Sequence, residues 1–411
     1  MTTRKPIGWL RTHPRWIRWV MGCWLGIALL VPFLANDKAL VAHYQGHWYF
    51  PVVQQWAVQA GMGRFDEMLR IPLHEKPPGY RVVVGPLIPY RAETLDASNG
   101  NYRSPFGPQQ VSSWYYRHWL GTDQLGRDTL AGLLYGARIA WWVGMGAMVL
   151  SVVLGLLLGL LAGYYANDRL RISRSVVGST LIFLGAGVVW QTGWTIPHPT
   201  GWSWLVTLMV LAGLGMVCWW LLQRLSWGRR LLVIPLDRWF LALVGWFKSL
   251  PGMVVVMAIL PLFKSTGIWS LALLIGLFRW PLIGQYVRAE VLRIRHLPFM
   301  ESVRLLGLAD RKILWKHALP NVWPPVVVNA AFGVGAAVAV ESALSFLGLG
   351  LGLHQVTWGT LLNAGRHYFP AWWLVVFPGV AIFMVVYVCN VLGDRWLARY
   401  EAGTPSSDGP S

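Results

Sequence analysis

RAEVLRIRHLPFMESVRLLGLADRKILWKHALPN, residues 288–321, is a polar stretch set between two apolar ones. It holds seven Lys/Arg between Arg288 and Lys316, yet it is also rich in Leu, Ile and Met. Pro298 suits the first turn of a helix, where its missing N–H would be unpaired in any case. Met300, Val303 and Leu306 then recur every third residue, as along one face of a short helix. Glu301 falls in the first turn, where a negative charge is favoured. Gly307 ends this helix in a left-handed conformation that a side chain would strain. Asp310 is placed to cap a second helix, Arg311 to Leu319, which Pro320 ends. On the residues alone two readings stay open. The stretch is a plug for a groove on another protein, or a basic amphipathic loop lying on lipid headgroups.

Composition places this stretch in a membrane protein. Hydrophobic residues make up 55% of the 411 and charged residues 13%, against about 25% charged in a soluble domain. The 27 Trp and 14 Tyr fit aromatic anchoring at membrane interfaces. A net charge of +18 would point to nucleic acid in a soluble chain; here its distribution along the chain carries the information. Cys23, Cys218 and Cys389 lie in apolar runs with no ligand spacing, so neither a disulfide framework nor a metal site is expected.

Residues 1–35 read as a basic N-terminus and a first, uncleaved anchor, its apolar run extending from about Trp19 to Ala35. Residues 36–138 are polar, aromatic and rich in Pro and Gly. They form a small β-rich lobe or a strapped-down loop. Further apolar runs lie near Ile139–Ala166, Val176–Trp190, Trp202–Leu222, Trp239–Phe263, Ile268–Ile283, Val326–Leu349 and Trp372–Leu392. A spanning helix takes about 20 apolar residues, so the expected fold is an all-α bundle of about eight spans, the anchor and those of 139–394. Residues 395–411 form a tail. Basic residues alternate with these runs: five in 1–18, three in 169–174, four in 224–238 and seven in the central stretch, with almost none in the short loops between. That asymmetry puts both termini and the central stretch in the cytoplasm and 36–138 outside. Long loops translocate regardless of charge.

The order Glu301, Gly307, Leu319-Pro320 resembles the coupling loop of ABC-importer permeases, whose pattern begins Glu-Ala-Ala. Ser302 and Val303 replace the two alanines. His317, followed by a hydrophobic residue and Leu319-Pro320-Asn321, is similar to the dipeptide/oligopeptide/nickel branch. Four other stretches match that branch in order: HWLGTDQLGRDTLAGLLYGARIA from His118, VESALSFLGLG from Val340, TWG from Thr357 and FPGVAIFMVVYVCNVLGD from Phe377. The resemblance covers most of residues 118–394. It implies a six-span permease core of the C-type inner-membrane subunit, with an inserted two-span hairpin at about 176–222. It further implies a second permease, two ABC ATPase subunits and an external substrate-binding protein as partners, with ATP bound and hydrolysed on the partner chains and no cofactor on this one. Pro298, Met300, Glu301, Val303, Leu306, Gly307, His317, Leu319 and Pro320 would form the ATPase-coupling loop. The cargo implied is a peptide or peptide-like compound, with nickel or a modified peptide such as microcin C as alternatives.

No catalytic constellation stands out. The chain has no phosphate-binding G-x-x-x-x-G-K-[ST], no H-E-x-x-H and no C-x-x-C. Asp123 and Asp128 in GTDQLGRD read as structural. Lys248, Arg279 and Glu341 sit within or beside apolar runs, where ionisable groups face a bundle interior or water; Lys248 and Arg279 can instead snorkel to an interface. The family pattern has Arg where this chain has Gln285. Gly155, Gly159 and Gly163 put small residues on one helix face, a packing signal. The rival classes are a non-transporting scaffold and a membrane transferase with its site in the outer loop. The transferase would draw on Asp66, Glu67, His74, Glu75, Glu93 and Asp96, which are scattered.

Overall fold

The computed structural model describes residues 15–44, 47–59, 73, 80–167, 171–176, 178–180, 213, 216, 220, 231–263, 267–351 and 355–402. Among these, five helices are long and apolar enough to cross a membrane, or six if one bent pair counts as a span. The expected hairpin at 176–222 falls almost wholly outside the described residues, so the count of eight has no counterpart in them.

Helix α1 (Arg15–Leu34) leads into a three-stranded antiparallel sheet of order β2-β1-β3, built from β1 (Val41–Tyr44), β2 (His47–Tyr49) and β3 (Tyr80–Val84). A short helix, α2 (Pro51–Gln59), lies between β2 and β3. Of the two readings of the lobe, the β-containing one fits its first half. Residues 85–128 contain only short turns and run into α3 (Thr129–Tyr165). Asp128 starts α3 by accepting the Ala131 N–H at 2.7 Å, as a capping carboxylate does.

Strands β4 (Arg171–Ser173) and β5 (Leu231–Val233) pair antiparallel, Ser173 opposite Leu231. The segment between them therefore leaves and returns at one place, the far end of α3. Asp237 N–H, in the first turn of α4 (Leu236–Ser249), donates to Ala166 O at that same end. The expected continuous run Trp239–Phe263 is broken. Helix α4 stops before Pro251, and α5 (Gly252–Ile259), with the turn Leu260–Leu262, leaves it at 76°. Proline drives its preceding residue out of the helical region, and Leu250 is extended at φ −90°, ψ 131°.

Helix α6 (Ile268–Arg295) lies against α3. A Cβ on Gly155 would stand 2.8 Å from Ile283 Cγ2, on Gly159 2.6 Å from Gly284 O, and on Gly163 2.8 Å from Val291 Cβ. The small-residue stripe thus brings two backbones into contact, as its spacing predicts. After α7 (Pro298–Leu305) and α8 (Asp310–Ile313) comes α9 (Leu319–Phe346), then α10 (Trp358–His367) and α11 (Trp373–Ala402). Helix α9 packs on α3, α6 and α11. Val287, Val291, Val322, Val334 and Val338 lie buried in the core they share. The lobe sits at the end of the bundle where α3 begins, and α7 and α8 sit where it ends.

Candidate functional site at the basic end of the bundle

The stretch 288–321 folds into the end of α6, then α7, a turn and α8. Pro298 is the first residue of α7 and Glu301 lies exposed in its first turn, as the sequence predicts. Gly307 adopts φ +67° with nothing within 4 Å of where its Cβ would be. The turn therefore requires glycine for its backbone and not for space.

The apolar face differs from the one expected. Met300 is only 2% exposed and belongs to the core with Val291, Ile294 and Ile313, and Val303 packs against that core. Leu306 points outward, 76% exposed, together with Leu305 at 89% and Trp315. The reason is the tight link between Arg295 and Pro298, where Met300 N–H donates to Leu297 O: it lays the Met300 side of α7 against the bundle. The outward apolar surface is thus Leu305, Leu306 and Trp315, flanked by exposed Arg311, Lys312 and Lys316.

Asp310 is not the cap of its helix. Ala309 takes that position, with no side-chain cap bond. The Asp310 carboxylate instead accepts the Tyr164 hydroxyl at 2.6 Å. Pro320 does not end the second helix either. Leu314–Ala318 forms a π turn, in which Leu319 N–H reaches back to Leu314 O, and the helix continues as α9 through Pro320, Pro324 and Pro325. A proline ring clashes with the carbonyl four residues back in an α-helix; widening the turn by one residue relieves that contact. His317 and Leu319 are half-buried on this wide turn, Pro320 is exposed, and Asn321 Nδ2 donates to His317 O at 2.6 Å.

Three ties at this end escape a reading of the sequence because each joins residues from separate elements. They are Tyr164 to Asp310, a two-pronged Arg288–Asp237 pair between α6 and α4, and Glu290, which accepts from Arg293 and, at 3.1 Å, from the Tyr400 hydroxyl of α11. The one signal in the sequence is Arg288 opening the basic run.

Lys248, Arg279 and Glu341 do not converge. Lys248 Nζ donates to Gln285 Oε1 at 2.7 Å on an exposed face, so the Gln in the family's Arg position has a cationic partner. Arg279 is half-buried midway along α6. Glu341 is 1% exposed and accepts from Ser345 at 2.8 Å and Ser342 at 3.2 Å. It also bonds to Thr357, the residue that caps α10. It is a fastener between α9 and α10.

At the opposite end, His118 is fully buried between two carboxylates. Its Nδ1 lies 2.9 Å from Asp128 Oδ2 and its Nε2 3.2 Å from Asp96 Oδ2, with the Tyr90 ring stacked at 4.2 Å. Burial by itself would lower the His118 pKa, but the hydrogen bonds to Asp128 and Asp96 overcome it and raise the value to about 9. Burial would raise Asp96; bonds from His118, Ser98 and Asn99 instead hold it below the carboxylate range. Asp123 Oδ1 accepts the N–H groups of Leu125 and Arg127 at 2.9 and 2.8 Å. Asp96 and Asp128 hold the lobe to the start of α3 through His118, and Asp123 closes the turn that leads into that helix. Among the described residues no His, Cys, Asp and Glu cluster could hold a metal ion.

Comparison with known proteins decides the class. Residues 225–404, from just before α4 to the end of α11, match the family described as binding-protein-dependent transport system inner membrane component. That region belongs to this family, and relatives that align over most of the chain are named as ABC-transporter and peptide permeases, which the chain resembles. The inner membrane ABC transporter permease protein YejE of Escherichia coli K12 is 25% identical over 387 residues, which is 92% of this permease and 90% of the relative. A Brucella suis protein provisionally named a peptide permease is 27% identical over 321 residues, 77% and 80% of the two chains. Another from the same organism, provisionally named a peptide transport system permease, is 26% identical over 281 residues, 67% and 71%. The permease is therefore a multi-pass inner-membrane transport subunit and not itself an enzyme.

Proposed function

We propose that this permease forms, with a second permease, the membrane path through which a peptide or peptide-like compound is imported. An external binding protein delivers the cargo, and ATP hydrolysed on two separate ATPase chains drives the cycle. The observation that carries this reading is the pair of short helices α7 and α8 with the turns that follow them, which present Leu305, Leu306 and Trp315 to solvent amid a basic surface. Exposed apolar residues rimmed by charge mark a docking site, and the chain has no nucleotide-binding loop of its own. Peptide cargo is favoured by the names of the relatives in Brucella suis.

A docked partner drives a change only through different contacts in two states, so ATPase closure must alter its grip on α7 and α8. With the basic end in the cytoplasm, the lobe of residues 36–128 faces the binding protein. The side-by-side pairing of β4 and β5 supports an inserted two-span hairpin at about 176–222, which would leave the orientation of the later spans unchanged. The test is co-purification of the ATPase chains with the permease, alongside binding-protein-dependent peptide uptake in vesicles. Retention of ATPases by a Leu305→Ser/Leu306→Ser/Trp315→Ser variant, with unchanged uptake, would sink the docking assignment and leave the lipid-surface reading of the loop.

A further inference from the structure

We propose that the Tyr164–Asp310 hydrogen bond is the strut that carries motion of the docking helices into α3 and α6; this rests on the importer reading. Tyr164 is buried one residue from the end of α3, and its hydroxyl donates to Asp310 Oδ1 at 2.6 Å, at the first residue of α8. Its neighbour Tyr165 stands at right angles to it, ring centroids 5.2 Å apart, and reaches the same carboxylate. The Tyr164 ring shares a core with Met300 of α7, Ile313 of α8, and Val291 and Ile294 of α6. One side chain thus links both docking helices to the bundle.

Two further features direct the motion. On the bundle side, Gly163 precedes Tyr164, and its missing side chain lets α3 lie on Arg288 O and Val291 of α6, 3.0 and 2.8 Å from where a Cβ would be. With Gly155 and Gly159 continuing that contact, α3 and α6 have no room to slide apart by small side-chain shifts; they move as one body. On the other side, α8 joins α9 through the π turn Leu314–Ala318, and such a turn within a helix is common at functional sites. We place the hinge at this widened turn, so that α8, tied to α3 by Tyr164, flexes against α9 when it is pushed. A push on α7 and α8 reaches the bundle through Tyr164, moving the α3–α6 pair relative to α9 and α11. Tyr164 and Asp310 are positioning residues, acting through the helices that they join.

The experiment uses the full transporter reconstituted in vesicles with its binding protein and a peptide it carries. ATPase co-purification, ATP hydrolysis and uptake are measured on the same preparations. Tyr164→Phe, a buried change away from the docking surface, should retain ATPase association and hydrolysis, while peptide imported per ATP falls about fivefold, the size of one net hydrogen bond; Asp310→Ala should lower import per ATP at least as much. The double variant should be no worse than Asp310→Ala alone, because that variant already removes the Tyr164 contact. Asp310→Asn, which keeps an acceptor oxygen, should import close to normally. Unchanged import per ATP in Tyr164→Phe would overturn the strut. So would loss of ATPase association in step with uptake in Tyr164→Phe, which would make the contact a brace for the docking surface. Absence of ATPase association or import in the unaltered transporter would overturn the importer reading and the strut with it.

Discussion

The two ends of α3 carry similar material put to opposite uses. At its start, His118, Asp96 and Asp128 satisfy one another largely out of contact with water, and Asp128 also caps the helix. At its end, Asp310 is bonded but exposed, and Leu305, Leu306 and Trp315 stand in solvent. Left-handed glycines repeat the contrast. Gly126 has φ +79°, and a Cβ there would collide with the Asp96 carbonyl; Gly307 has φ +67° and open space around its Cβ position. One end is closed on itself and acts as a fixed anchor. The other leaves apolar side chains open to solvent, as the proposed docking of ATPases requires.

Removing the centre of the closed end should have the largest effect. His118→Leu leaves Asp96 and Asp128 facing each other without their cation. Breaking a buried pair in this way costs about 3–5 kcal/mol. Limited proteolysis should then cut the lobe between residues 90 and 128, while binding of ATPases at the far end persists. Loss of both together would mean that the two ends are not separate structures. The same cluster fixes a pH dependence. Because the His118 pKa is raised, from its ordinary 6.5 to about 9, its contribution is complete below about 6.5 and is lost as pH rises through about 9. Asp96 is lowered, so its contribution is present above about 3.9 and is lost as pH falls below it. Hydrogen exchange near Asp96 and at the first turn of α3 should therefore be slowest between about pH 4 and 6.5, once corrected for the intrinsic pH dependence of exchange.

The paired glycines sharpen the contrast. Gly126→Val combines left-handed strain of about 1–2 kcal/mol with overpacking of about 1–3 kcal/mol, and should lower the thermal stability of the lobe. Gly307→Val carries only the strain, about 1–2 kcal/mol, because nothing surrounds it. Its effect should appear in ATPase association and uptake, with the midpoint of thermal unfolding nearly unchanged. Equal thermal destabilisation by the two variants would remove the distinction between a packed end and an open one.

How far these features are legible in the sequence depends on how local they are. The start of α7 at Pro298 and its left-handed turn at Gly307 depend on one or two residues, and both are readable. So is the glycine stripe, because helical spacing alone puts 155, 159 and 163 on one face. Pro320 reads as a stop because proline in an α-helix usually is one; the π turn that accommodates it depends on how α8 is held. Met300 reads as part of the outward face because so short a helix has no sequence marker for which side meets its own bundle. The Tyr164–Asp310 contact joins residues 146 apart, and the His118 cluster draws Asp96 from 22 residues away. Neither spacing is periodic, so neither can be found from pattern.

Glu301 should give the smallest effect. It lies in the first turn of α7 and is exposed, where a carboxylate interacts with the unpaired N–H groups of the helix start. That interaction contributes about 0.3–1 kcal/mol at low ionic strength and is screened by salt. Met300 beside it is anchored in the core regardless of charge, so the helix does not depend on the carboxylate for its position. Glu301→Gln should therefore leave α7 in place and weaken ATPase association by about twofold to fivefold, always less than Gly307→Val does. Raising the salt concentration should shrink the difference between Glu301→Gln and the unaltered permease, whereas the Gly307→Val defect, which is backbone strain, should not respond. A loss of association from Glu301→Gln larger than that from Gly307→Val, and insensitive to salt, would show that the carboxylate bonds the ATPase directly, and the open end would then owe its partner to a charge and not to its exposed leucines and tryptophan.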